Sequence, residues 1–255
     1  MQAKQKIVIV GGTGLIGRKV AALLLAAGNE VVVAAPSTGV DTFTGEGLAE
    51  ALTGANVVID VSNAASYDPT VVKAFFETSS RSLAVAEASA KVQHHVVLSI
   101  VGVDRMPDNG YFQGKVAQEA VVTAAPTPYT IVRATQFLEF LTAIADGSAV
   151  QNKVRLPGGL FQPIAADDVA GFLAEIAVGT PINGILEIAG PERAPFDNII
   201  RNHLALIGDA RAVERDPAAT YFGGTVTEHS LVPLGKARLG TTTHAAWLQG
   251  WQAAR

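Results

Sequence analysis

The stretch Lys6-Ile7-Val8-Ile9-Val10-Gly11-Gly12-Thr13-Gly14-Leu15-Ile16-Gly17 decides how this chain folds. Ile7 to Val10 are four consecutive β-branched residues with no polar alternation, the pattern of a short strand covered on both faces. A glycine pair breaks the run. From Ile16 onward the apolar residues Val20, Leu23, Leu24 and Ala27 recur at helical spacing until Gly28-Asn29 stops them. The glycines at 11, 14 and 17 thus lie between a buried strand and an amphipathic helix, and each has a physical use. The first permits a tight turn, the second lets a pyrophosphate approach bare backbone, and the third lets helix and strand pack closely. Backbone N–H groups at the helix start then point at phosphates, aided by the helix dipole. This stretch predicts dinucleotide binding.

The alternation continues outward. Strands are predicted over 31–35, 57–61, 96–100 and 129–132, and helices over 46–52, 69–91 and 111–124, the last ending before Pro126 and Pro128. Strands of continuous Val and Ile alternating with helices imply a parallel, doubly wound α/β sheet. Beyond Gln136 the pattern loosens, with strand candidates at 153–156, 161–164 and 185–188 and helices near 168–178 and 195–206. Residues 1–150 therefore read as a nucleotide-binding part and 151–255 as a smaller α/β lobe packed on it. No repeat or low-complexity linker separates them, so a single compact unit is expected.

Composition narrows the function. Of 255 residues, 49% are hydrophobic and 16% charged, which excludes a disordered chain. A net charge of −4 with no run of like charges argues against a nucleic-acid surface. The absence of cysteine excludes thiol catalysis and Cys-based metal sites. The opening segment has only four apolar residues after its basic tip, and no later run approaches membrane-spanning length. A soluble, cytoplasmic protein acting on small molecules is expected. His94, His95, His203, His229 and His244 lack metal-ligand spacing, Gly114-Lys115 lacks the rest of a P-loop, and no Gly-x-Ser-x-Gly elbow occurs. Asp167-Asp168 reads as a helix cap with dipole compensation, and Arg133 as a structural ion-pair partner.

An NAD site carries an acidic residue about 20 residues past the glycine loop, at the end of the second strand. Here that place reads Ala34-Ala35-Pro36-Ser37-Thr38. With no carboxylate to repel a 2′-phosphate, and with Ser37, Thr38 and Arg18 in range, NADP is favoured over NAD.

Tyr111 and Lys115 lie four apart on one helix face, and Ser99 ends the fourth strand. Carbonyl reduction by hydride needs a proton on the oxygen. A tyrosine lowered by a nearby ammonium can deliver it, while a serine hydroxyl holds the same oxygen. Ser99, Tyr111 and Lys115 are the candidate catalytic set.

Five stretches, GGTGLIG at 11–17, LSIVGVD at 98–104, YFQGK at 111–115, PYTIVRATQFLEF at 128–140 and QPIAADDVA at 162–170, together resemble the short-chain dehydrogenase/reductase superfamily. The resemblance is closest to its atypical NmrA-like NAD(P)-binding branch, and LEIAGPE at 186–192 extends it to most of the chain. It implies a Rossmann-type fold with NAD(P) bound across it. The loop residues Gly11, Thr13, Gly14, Leu15, Ile16 and Gly17 would meet the pyrophosphate. Ser62 and Asn63 would lie near a ribose, Lys115 would touch the nicotinamide ribose, and Tyr111 would be the proton donor. Three functions follow: an oxidoreductase passing hydride to a carbonyl or quinone-like acceptor; a cofactor-sensing regulator without turnover; and an epimerase or dehydratase acting on a nucleotide sugar. Phe137, Phe140, Leu160 and Phe161 suggest an apolar substrate pocket.

Overall fold

The computed structural model describes residues 4–253. Its first half runs β1 (Lys6–Val10), α1 (Leu15–Ala26), β2 (Glu30–Ala34), α2 (Leu48–Leu52), β3 (Val57–Asp60) and α3 (Pro69–Ala90), then β4 (His94–Ile100), α4 (Gly110–Ala124) and β5 (Tyr129–Ala134). Local chemistry sets several boundaries. Asp68 accepts from the N–H groups of Thr70 and Val71 and precedes Pro69 at the first helical position, so α3 starts there. Asn109 caps α4 by accepting from Phe112 N.

The second half contains α5 (Leu141–Gly147), β6 (Ala149–Val150), β7 (Lys153–Leu156), β8 (Leu160–Phe161), α6 (Ala166–Ala177) and β9 (Gly184–Ala189). It ends with β10 (Ala194–Pro195), α7 (Phe196–Leu206), β11 (Ala212–Arg215), β12 (Arg238–Leu239) and α8 (His244–Ala253).

Seven strands form one sheet in the order β12-β9-β5-β4-β3-β1-β2, and every pairing in it is parallel. The protein thus has a Rossmann-type doubly wound α/β fold. Because β2 lies on one side of β1 and β3 on the other, the strand order reverses at β1 and opens a crevice at the carboxyl edge. α1 and α6 cover one face of the sheet through a cluster that includes Ile7, Ile9, Val20, Leu24, Ile59, Val132, Val169 and Leu173. The opposite face is covered by α2, α3 and α4 and packs Val8, Val58, Leu48, Leu52 and Leu83 in one cluster and Val97, Val122 and Ile131 in another.

The chain after residue 150 divides its loyalties. α6, β9 and β12 return to the main sheet, with Thr130 opposite Gly184 and Arg238 opposite Ile188. Only α5, α7, α8 and the short strands β6, β7, β8, β10 and β11 build the lobe. Its core joins Leu141, Phe161, Phe196 and Leu204 to Val103, Met106 and Phe112 of the first half, so one core crosses the sequence boundary expected at 150. The first-turn acids of α6 also differ from expectation. Ala165 is the N-cap, and the Glu139 carboxylate accepts from Ala166 N instead. Asp168 is spent on Thr242, whose N and Oγ1 both donate to it.

Candidate functional site

The glycine turn fills the crevice mouth. Gly11, at φ +75, donates its N–H to Ala34 O at 2.9 Å. A side chain there would meet the Ser62 backbone at 2.8 Å, and one at Gly17 would meet Gly11 O at 2.4 Å. The turn is therefore closed to any residue larger than glycine at both positions. α1 begins at Gly14 with no side-chain cap and no acid in its first turn. Its first intrahelical bond runs from Arg18 N to Gly14 O, so the N–H groups of Leu15, Ile16 and Gly17 precede the ladder. This cradle of positive backbone dipole, with exposed Thr13 and Gly14 at its rim, fits the phosphates of a dinucleotide.

Around it lie polar atoms without partners. Ser62 Oγ beyond β3, and Thr135 Oγ1 with both amide atoms of Gln136 beyond β5, are buried and unbonded. A buried polar atom with no partner costs roughly 1–3 kcal/mol. At the end of β2, Thr38 Oγ1 accepts from Ala35 N and donates to Val33 O, which ties its hydroxyl to the backbone. Ser37 stays exposed, and Arg18 donates to Thr13 O within the loop.

Each residue of the expected catalytic set is bonded to a group outside that set. Tyr111 donates its hydroxyl to Asn63 Oδ1 at 2.7 Å, which brings two of the expected residues together. Burial, followed by the neighbouring Tyr67, raises the Tyr111 pKa above that of a free phenol. Lys115 does not lower it. Its ammonium lies 4.5 Å from the centroid of the Phe76 ring, donates to Leu98 O at 2.7 Å and bonds Gln118 Oε1. Gln118 in turn donates to Asp60 at 2.8 Å. Burial depresses the Lys115 pKa to about 8 against the pull of Asp60 and Glu119. Tyr111 meets the same Phe76 edge-on, with ring centroids 5.8 Å apart, so both side chains pack against one aromatic ring.

Ser99 points to the other side of the problem. Its Oγ donates to Glu119 Oε1 at 2.5 Å, and Glu119 is gripped by Arg133 at 2.7 Å. Ser99 belongs to a buried ion-pair network here. Arg133, which also pairs with Asp104 at 2.8 Å, is structural as its sequence position implied.

Several residues at this edge carried no sequence signal. Asp60 ends a buried strand and was the one readable clue. Tyr67, Tyr221 and Phe222 sit in loops whose sequence shows no motif, and Gln136 lies in the stretch 128–140 with no role assigned to it.

The whole arrangement is a doubly wound fold with a glycine cradle and a tyrosine at its crevice. No protein-family model matches the chain. A curated relative, the (4-alkanoyl-5-oxo-2,5-dihydrofuran-3-yl)methyl phosphate reductase of Streptomyces griseus, is 29% identical over 202 residues, 73% of this chain and 68% of the relative. Among solved structures, a short-chain dehydrogenase/reductase superfamily protein from Agrobacterium tumefaciens with bound NAD superposes at a TM-score of 0.71. It is 17% identical and covers 98% of this chain and 97% of its own. The dTDP-4-dehydrorhamnose reductase of Bacillus anthracis, in complex with NADP, gives 0.65 at 14% identity over 89% and 88%. These likenesses show a shared Rossmann-type fold. No helix among the described residues is long and apolar enough to cross a membrane.

Proposed function

We propose that this protein is an NAD(P)-dependent oxidoreductase that reduces a small carbonyl or quinone-like acceptor, of the atypical, NmrA-like kind. The observation that carries the reading is the uncapped, acid-free start of α1 beneath a turn that only glycine fits, at the point where the strand order reverses. The Streptomyces relative is named as a reductase of an acyl-substituted oxo-dihydrofuran, and solved relatives of this fold hold NAD or NADP. NADP is the preferred cofactor, because the end of β2 offers Ala34, Ala35 and the free Ser37 hydroxyl in place of a carboxylate.

When bound, a reduced nicotinamide supplies hydride. The chain's own residues do the rest. Leu15, Ile16 and Gly17 present backbone N–H groups to the phosphates, and Ser62 offers its unpaired hydroxyl to a ribose. Gln136 offers an unpaired donor and acceptor to the carboxamide. Tyr111, protonated at neutral pH as any phenol is, acts as the acid toward the oxygen that becomes negative. Asn63 orients that hydroxyl. Lys115 serves the ribose, and Ser99 takes no part while it is bonded to Glu119.

Titration with NADPH and NADH, read by cofactor fluorescence, tests the first half of the reading: NADPH should bind more tightly, and binding of neither would overturn it. For the second half, Tyr111→Phe should lower kcat by about 10²-fold or more while NADPH still binds. Equal turnover in that variant would remove Tyr111 from the chemistry. A second reading, a cofactor sensor without turnover, draws on Ser99 bonding to Glu119 while Tyr111 bonds to Asn63. Tight NADPH binding with no oxidation across a panel of carbonyls and quinones would favour it.

A further inference from the structure

Above Tyr111 two loops meet through their aromatic side chains. Tyr67, in the loop between β3 and α3, is 75% exposed, and Phe222, in the loop between β11 and β12, is 54% exposed. Their rings stack at a centroid distance of 6.0 Å and a tilt of 21°. Stacked together, they present a paired aromatic surface rather than isolated side chains. Phe222 also has φ +49, a left-handed backbone that a bulky residue rarely adopts.

The strain is held from below. Tyr221 and Gly224 exchange two backbone hydrogen bonds of 2.9 and 3.0 Å, and Asn109 Nδ2 donates to Tyr221 O at 3.1 Å. That anchors the turn to the cap of α4, the helix that carries Tyr111. The buried Tyr221 ring meets Phe222 edge-on at 4.8 Å and braces it against Phe196. On the opposite loop, Asn63 accepts the Tyr111 hydroxyl four residues before Tyr67. The phenol of Tyr111 thus lies under a roof whose two halves belong to separate loops.

From this geometry we infer that Tyr67 and Phe222 form a clamp that selects flat, conjugated acceptors, such as quinones and aryl or vinyl carbonyls, and delivers them to Tyr111. The inference rests on the reductase reading above and names its substrate class. Two ring faces grip a planar guest when each lies about 3.5–4 Å from it, a total opening of about 7–8 Å. The two rings stack on each other, with 6.0 Å between centroids, so the loops part for a planar guest to enter between the faces. A saturated aliphatic ketone, whose only π bond is its single carbonyl, gains little from such faces.

The test compares 1,4-naphthoquinone with cyclohexanone as acceptors for NADPH oxidation by wild type, Tyr67→Ala, Phe222→Ala and Phe222→Tyr. Each alanine variant should raise the ratio of the naphthoquinone KM to the cyclohexanone KM by about tenfold, the worth of one aromatic contact, and Phe222→Tyr should restore it. A ratio unchanged in both alanine variants overturns the clamp. Thermal unfolding confirms that the variants fold, and NADPH titration of wild type separates the two claims. If NADPH does not bind, the reductase reading fails, and direct calorimetric titration of naphthoquinone into each protein decides the clamp alone. Weaker binding to the alanine variants supports it, and equal or absent binding in all of them sinks it.

Discussion

The two faces of the central sheet are built on different principles. Beneath α1 and α6 the strands present Ile7, Ile9, Ile59, Val96, Val132 and Ala134, and the helices answer with Val20, Leu24, Val169 and Leu173. Beneath α3 and α4 the same strands present Asp60, His95, Ser99 and Arg133, all buried, and the helices answer with Glu87, Lys115, Gln118 and Glu119. The interior of the first face is apolar, and its burial is worth roughly 25 cal/mol per Å². The other adds to its apolar clusters buried hydrogen bonds and ion pairs that must all be satisfied together, because an orphaned charge in such a place costs several kcal/mol. Tyr111 and Lys115 rise from the polar face, so the face that is harder to build is also the one that carries the candidate chemistry.

The largest expected effect tests that claim directly. Arg133→Leu leaves the buried Glu119 with Ser99 as its remaining hydrogen-bond donor and should destabilise the fold by about 4 kcal/mol in urea unfolding. The pair Glu119→Leu/Arg133→Leu removes both charges and should recover at least half of that loss. A single-variant loss below about 1 kcal/mol would mean that the network is far wetter than its burial implies.

On the apolar face, Leu173→Ala should cost about 3 kcal/mol, through lost burial and the cavity left between α6 and the sheet. This loss should not change with pH or salt, whereas the Arg133 loss should. An equal salt dependence for the two would erase the contrast between the faces.

The same contrast explains what the sequence disclosed. Apolar strands and helices up to β5 were legible because Val and Ile runs and helical periodicity are local signals, and the predicted bounds of α1, α3 and α4 agree with the observed ones within a residue or two. β4 begins at His94, two residues before the predicted start, because polar His94 and His95 hide a buried strand from a hydrophobicity pattern. β9 was placed in the lobe because its pairing with β5 bridges more than 50 residues and leaves no local trace. At the site, the glycine cradle was readable because a turn that tight has few solutions. Whether Ser99, Tyr111 and Lys115 converge depends on which neighbour each polar group finds, and Glu119, Gln118 and Phe76 outcompete the expected partners in ways that spacing alone cannot encode.

The smallest effect probes the interior end of the polar face. His95 Nδ1 lies 2.6 Å from Glu87 Oε1, with both side chains buried. Burial opposes a charge on His95, but Glu87, aided by Asp60 and against Lys115, outweighs it and raises the pKa above 6.5. A folded-state pKa above the unfolded one means that the pair's contribution is complete below about pH 6.5 and is lost as the pH rises through the folded value. His95→Gln keeps a hydrogen bond to Glu87 but cannot take the charge. Its stability deficit in urea unfolding should therefore be about 1–2 kcal/mol at pH 6 and smaller at pH 9. Lys115 titrates in both proteins and cancels from the difference to first order. A deficit that grows toward alkaline pH would mean that His95 is neutral throughout, leaving Glu87 as a buried acceptor and the α3 end of this face as a neutral hydrogen-bonded core.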